Sequence, residues 1–253
     1  MPKYYKYIAR DRQFRGAVDC AISPAETALP SYTGKSDALD RVTDYIKEHK
    51  NDLPILYRYS SADRCDLCNL GNHVVRLSSA NDMNDWLEGD VFHADRLLIE
   101  SQQQKIFLKC FTIHPCRTVM WCQYANNHRG ICVGYDFSKA GNALIRHLFP
   151  VQYARERFTS AHPTKLVENP YFYIRKGKQW DHEAEWRLIY TRENLPTTGR
   201  TIGLDFIKEI RFGLRTSEEV KEKVKDIIHG TNIELYQTTV REGEFGLKKE
   251  RIL

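Results

Sequence analysis

The sequence predicts an α+β fold, with a mostly antiparallel or split β-sheet flanked by helices and, in the leading reading, an ADP-ribosyltransferase-like arrangement. Three observations predict it. Short apolar runs at 55–60, 73–79, 106–112, 131–137 and 207–213 have the length of strands. Helical spacing of apolar residues appears between only some of them, most plainly from Ser217 to His229. The regular βα alternation of a doubly wound sheet is missing, and neither common glycine-rich phosphate loop occurs.

Taken in order, residues 1–52 read as an N-terminal helical extension packed on the main domain, which occupies 53–253. Within the extension, Ser36 caps a predicted helix from Asp37 to His49, with Leu39, Val42 and Tyr45-Ile46 at helical spacing. Strands are predicted at Ile55–Ser60 and His73–Ser79, followed by the turn-forming run Ala80-Asn81-Asp82-Met83-Asn84-Asp85. Trp86 to Gln104 reads as helix, Ile106–Thr112 as a buried strand, and Arg117 to Asn127 as helix. Ile131–Phe137 is a strand, Ser138–Phe149 a short helix, and Pro150–Tyr153 a short strand. A helix around Pro170–Lys176 precedes the stretch Lys178–Tyr190. Thr197-Thr198-Gly199-Arg200 is a turn. Ile207–Gly213 and Ile233–Gln237 are strands on either side of a helix capped at Ser217.

Composition narrows the class. The 253 residues are 42% hydrophobic and include four Trp, 14 Tyr and 11 Phe, enough for a large core and against disorder. No run approaches the roughly 18 apolar residues of a membrane span, and the start, Met1-Pro2-Lys3-Tyr4-Tyr5-Lys6, has no apolar signal core. A soluble, cytoplasmic protein without a membrane partner is therefore expected. The net charge of +5 is compatible with an anionic ligand and does not demand one. Seven cysteines, an odd number, argue against a disulfide framework. Cys65-x-x-Cys68 is half of a zinc knuckle, but Cys110, Cys116, Cys122 and His73 complete no common module, so no metal is expected. Cys110, Cys122 and Cys132 read as small core residues.

The stretch Lys178-Gln179-Trp180-Asp181-His182-Glu183-Ala184-Glu185-Trp186-Arg187-Leu188-Ile189-Tyr190 carries the densest chemistry. Read as a strand from Glu183, it places Glu183, Glu185 and Arg187 on one face and Ala184, Trp186 and Leu188 on the other. The apolar face anchors in a core while the charged face meets a groove. Two such carboxylates require a cation between them or a raised pKa, an arrangement common in active sites. The plainer alternative is a solvated sheet face with Arg187 bridging the acids.

Several fragments, in order, resemble one bacterial family of unassigned function, DUF2971. They are Leu56-Tyr57-Arg58-Tyr59, Leu77-Ser78-Ser79 with Asn84-Asp85, Cys110-Phe111-Thr112, Met120-Trp121-Cys122-Gln123-Tyr124-Ala125, Gly130-Ile131-Cys132-Val133-Gly134-Tyr135-Asp136 and Trp180–Arg187. The resemblance runs from about residue 55 to 240 and leaves out 1–52. Its usual Phe-Asn-Asp-Pro-Phe loop reads Met83-Asn84-Asp85-Trp86-Leu87 here, without the proline.

The order of polar elements in turn resembles that of ADP-ribosyltransferases. That resemblance implies NAD as substrate and a dinucleotide site. Arg58 would contact its phosphate or ribose, and Ser78 and Ser79 would hold the nicotinamide-side strand open. Glu185 would bind the ribose and stabilise the oxocarbenium-like transition state, where positive charge develops only during bond breaking. Glu183 would position or deprotonate the acceptor, a protein or nucleic acid. Tyr57, Asn84, Asp85, Trp121, Tyr124 and Arg187 complete the expected cofactor-binding set. Trp121 and Tyr124 read more readily as core than as a stacking platform, and His128 and Arg129 either as a phosphate contact or as an ordinary helix end. The leading expectation is thus an ADP-ribosyltransferase or NAD glycohydrolase of a bacterial defence or conflict system. A non-catalytic nucleotide or nucleic-acid binding module acting through Arg58, Lys178 and Arg187 is the alternative. A third reading is a Mg²⁺-dependent nuclease using Asp85, Glu183 and Glu185.

Overall fold

The computed structural model describes residues 36–85, 105–155, 173–195 and 199–252. The start of the chain, the predicted helix from Trp86 to Gln104, and Thr197-Thr198 lie outside these residues. In chain order the elements are α1 (Ser36–Glu48), β1 (Leu56–Ser60), α2 (Arg64–Gly71), β2 (Val74–Arg76), β3 (Ser78–Ser79), β4 (Ile106–Thr112), α3 (Thr118–Tyr124), β5 (Ile131–Tyr135), α4 (Asn142–Ile145), β6 (Leu148–Pro150), β7 (Gln152–Ala154), β8 (Arg175–Gly177), β9 (Glu185–Thr191), β10 (Thr201–Gly203), β11 (Ile207–Phe212), α5 (Glu218–Ile228), β12 (Glu234–Val240) and β13 (Leu247–Arg251). The fold is α+β. Antiparallel pairs predominate, helices flank the strands, and the described strands close no barrel.

Two compact units share the chain, each assembled from separated stretches. The described part of the first takes residues up to Pro54, Leu77–Lys109 and Ala140–Arg200. Here α1 buries Val42, Thr43 and Ile46, packing on α4 and β6. The Lys50 ammonium ties its far end to the Ala140 carbonyl at 2.8 Å. β6 runs antiparallel to β9 with Leu148 opposite Leu188, and β7 runs parallel to β8 with Gln152 opposite Arg175. Ser78 and Ser79 of β3 pair with Leu108 and Phe107 of β4. Trp186 and Leu188 of β9 are buried, as are Phe107, Ile145 and Leu148, in keeping with the apolar face of a strand.

The second unit takes Ile55–Arg76, Cys110–Lys139 and the chain from Thr201. Its strands run β13-β12-β11-β5-β1 and on to the end of β4, where Tyr57 opposes Thr112. β11 and β12 are parallel, and α5 makes the crossover that a parallel pair needs. The Ser217 hydroxyl caps α5 by accepting from the Val220 amide, and Val224 and Ile228 face inward.

The structure corrects several expectations. α2 stands where the sequence suggests only an irregular connection: Asp63 caps it by accepting from the Asp66 amide, and Leu67 and Leu70 anchor it. Residues 175–177 form β8 instead of ending a helix. The predicted helix Ser138–Phe149 shrinks to α4 between a 3-10 turn and β6. The helix from Arg117 stops at Tyr124 because Asn126, Asn127 and His128 all take left-handed backbone, with φ of 48°, 51° and 67°.

Candidate functional site

The acid pair lies in the first unit. Lys178–Glu183 form a 3-10 helix, so Glu183 precedes the strand, contrary to the expectation that β9 begins there. Ala184 joins the two in left-handed conformation, φ 44° and ψ 55°, its amide donating to the Asp181 carbonyl at 3.2 Å. The alternation of β9 still puts Glu185 and Arg187 on one face, while the turn brings Glu183 to the same place. Lys176 of β8 completes the group. Its ammonium lies 2.6 Å from Glu183 Oε2 and 3.4 Å from Glu185 Oε2. Arg187 holds Glu185 by both oxygens, Nε to Oε1 and Nη2 to Oε2, each at 2.8 Å, and donates from Nη1 to the Tyr173 carbonyl at 2.7 Å.

This charged face does not open onto solvent as a groove would require. Glu183, Glu185 and Arg187 are 2%, 5% and 0% exposed. Nor is it a solvated sheet face, although Arg187 does bridge to an acid. Two carboxylates and two cations sum to zero charge, which lets the group be buried at all. Trp180 covers the Lys176 ammonium at 4.7 Å from its ring centre. The Tyr153 hydroxyl accepts from the Glu185 amide at 2.9 Å, and burial, then the Glu185 charge, push its pKa up. No group of three or more metal-ligating side chains occurs among the described residues.

Of the other expected residues, Ser78, Ser79, Asn84 and Asp85 also belong to the first unit. Ser78 and Asn84 are exposed, while Ser79 and Asp85 are buried. Ser79 opens a 3-10 turn in which its amide donates to Asp82 Oδ2 at 3.3 Å. Tyr57, Arg58, Trp121 and Tyr124 belong to the second unit. Trp121 is fully buried and takes the core reading: it meets Tyr59 edge to face, its indole N–H donates to the Pro115 carbonyl, and Tyr124 packs on the same cluster. Arg58 is half-buried and donates to the Tyr59 carbonyl at 3.1 Å.

Tyr57 meets a second buried charge cluster, one that the sequence does not lead one to expect. Arg211 donates from Nε to Glu209 Oε1 at 2.6 Å, from Nη2 to the Tyr57 hydroxyl at 3.2 Å, and from Nη1 to Cys116 Sγ at 3.0 Å. Lys249 reaches Glu209 Oε2 at 2.9 Å. Burial alone would raise the Glu209 pKa, but Lys249 and Arg211 outweigh it and hold it below the usual value. Glu209-Ile210-Arg211 repeats the spacing of Glu185-Trp186-Arg187, and that repetition was the available signal.

Among the described residues no helix is long and apolar enough to cross a membrane. No curated protein and no solved structure matches the chain. Residues 120–188, from within α3 to within β9, match the family model described as a protein of unknown function, DUF2971.

Proposed function

We propose that the chain is a non-catalytic module that binds an anionic nucleotide or nucleic acid through arginines of its second unit. One observation carries this reading. Arg58, Arg117, Arg129 and Arg215 have no carboxylate at ion-pair distance among the described residues, and the last three are exposed. Among the described residues Arg64, Arg146, Arg192 and Lys208 are likewise exposed without such a carboxylate, whereas some exposed lysines are neutralised locally, as Lys178 is by Asp181, Lys223 by Glu219 and Lys248 by Glu250. Arg129 and Arg215 flank His128, whose carbonyl accepts from the Arg215 amide at 2.9 Å. Arg187, expected among the binding cations, is buried against Glu185, and Lys178 is paired. Fluorescence anisotropy with a labelled oligonucleotide, and with NAD as competitor, tests the reading over a salt series. Binding should weaken steeply with salt, and Arg129→Ala or Arg215→Ala should reduce the logarithmic slope by about 1 for each phosphate no longer neutralised. Salt-independent binding, or none, rejects it.

A different observation favours a second reading, the NAD-cleaving transferase or glycohydrolase. Four charges buried together carry a desolvation cost that an apolar cluster would avoid. A carboxylate already fixed by Arg187 suits a transition state that develops positive charge. Access opposes it, since a ribose would have to displace Lys176 from Glu185 Oε2 and move the side chains that bury it. Nicotinamide release from NAD, abolished in Glu185→Gln, would support this reading. Neither release nor modified macromolecules in a lysate would remove it. The nuclease reading is weaker, because Lys176 and Arg187 already neutralise the acids a Mg²⁺ ion would need.

A further inference from the structure

We propose that Cys122 is a thiol-modification site at which His128 takes the thiol proton as the sulfur attacks a small anionic disulfide. Cys122, expected in the core, is instead exposed in the last turn of α3. His128 Nε2 lies 3.5 Å from its Sγ. The imidazole is only 8% exposed and stacks on Trp121 with ring centres 5.9 Å apart and planes 10° apart. Its Nδ1 is buried without a hydrogen-bond partner, so the thiol is the ring's one side-chain polar contact among the described residues. Two groups therefore form a dyad: a nucleophile open to solvent and a base walled in behind it.

The base cannot drift. His128 is the last of three successive left-handed residues without a glycine, a strained run that persists only where its surroundings hold it. The His128 amide donates to the Trp121 carbonyl at 3.2 Å, the Asn127 amide to Cys122, and the Gly130 amide to Ala125. From outside, the Gly213 backbone presses so close that a Cβ there would stand 2.2 Å from the His128 carbonyl oxygen. Burial and the Arg215 guanidinium lower the His128 pKa. The ring is thus neutral near pH 7 and able to accept a proton.

The step balances without a further reagent. The Sγ proton passes to Nε2 as a new S–S bond forms; the disulfide's own S–S bond breaks, and the departing sulfur takes the electron pair and then the proton from His128. Excess thiol reverses it. The preference for an anionic disulfide comes from Arg129 and Arg215 and rests on the anion-binding reading. The base effect does not.

The full chain should be incubated with oxidised glutathione, with cationic cystamine and with neutral iodoacetamide, and modification followed by peptide mass spectrometry. Cys65, exposed on α2, is the reference within the same molecule. With glutathione disulfide and with iodoacetamide, Cys122 should react roughly tenfold faster than Cys65 or more, in line with general-base assistance. His128→Asn keeps a residue type that tolerates left-handed backbone and should bring Cys122 to the Cys65 rate without changing the circular dichroism spectrum. Equal rates for the two thiols in the parent protein would overturn the proposal even if His128→Asn failed to fold. Equal rates of Cys122 with the anionic and cationic disulfides would overturn the charge preference alone.

Discussion

Each unit of this molecule carries the same short pattern, Glu-x-Arg on a strand, and builds a different object from it. In the first, Glu185 and Arg187 join Lys176 and Glu183 in a closed, neutral quartet whose side chains are all at most 5% exposed. In the second, Glu209 and Arg211 join Lys249, whose side chain is 37% exposed, in a group with one excess positive charge. Tyr57 and Tyr236 spread their rings beside that guanidinium, with centres 5.0 and 5.9 Å away. Both Glu-Arg pairs are buried; they differ in the added cation, since Lys176 is sealed inside the protein while Lys249 reaches water. The third and fourth partners, more than the Glu-x-Arg itself, determine which object forms.

The largest effect should come from removing the third partner. Lys176→Ala leaves two carboxylates buried with one guanidinium between them and should cost about 3–5 kcal/mol in urea unfolding. Lys249→Ala removes a half-solvated partner and should cost under about 1 kcal/mol. Similar costs for the two would end the contrast between a sealed and an open cluster.

Smaller, and also unequal, should be the loss of the planar fork. Arg187→Lys keeps the charge but gives up the two-oxygen grip on Glu185, a charge-assisted pair worth about 2–3 kcal/mol when buried. Arg211→Lys should lose less, about 1 kcal/mol, because Lys249 still holds Glu209. Guanidinium chloride would mask this difference through its ionic strength, so urea is again the denaturant to use.

The smallest effect concerns acid. Burial and Arg117 lower the pKa of His114, in the second unit, from 6.5 to about 4. The Arg117 guanidinium can only donate, so His114 Nε2, 3.0 Å away, accepts and the ring is neutral. The unfolded chain then binds a proton below pH 6.5 that the folded chain refuses until about 4. Stability should fall as pH drops through this window, and His114→Gln should flatten that part of a Tm-versus-pH curve. Glu209 acts lower: its folded pKa lies below 4.5, so its contribution is present above 4.5 and is lost only as pH falls through the folded value. A parent curve already flat between 6.5 and 4 would show that His114 is more solvated than its surroundings imply.

Much of this arrangement is readable along the chain. The apolar runs of β4, β5 and β11 and the spacing of α5 announce themselves, because burial of one face imposes a local period. α2 is harder to see since only Leu67 and Leu70 mark its buried side, though Asp63 and Asp66 offer a capping signal. Alternation correctly puts Glu185 and Arg187 together but wrongly extends β9 back to Glu183, where an alanine takes a backbone conformation that its sequence does not advertise.

By itself, the sequence determined the α+β class, most strands, the capped helix α5 and the shared face of Glu185 and Arg187, because these depend on neighbours within a few positions. Only tertiary structure decided that the acid pair would be sealed by Lys176, that Cys122 would face solvent, and that His128 would stand behind it. Those outcomes depend on which distant backbone, such as β8 behind Glu185 or Gly213 against His128, is close enough to exclude water. No periodicity along the chain records that distance.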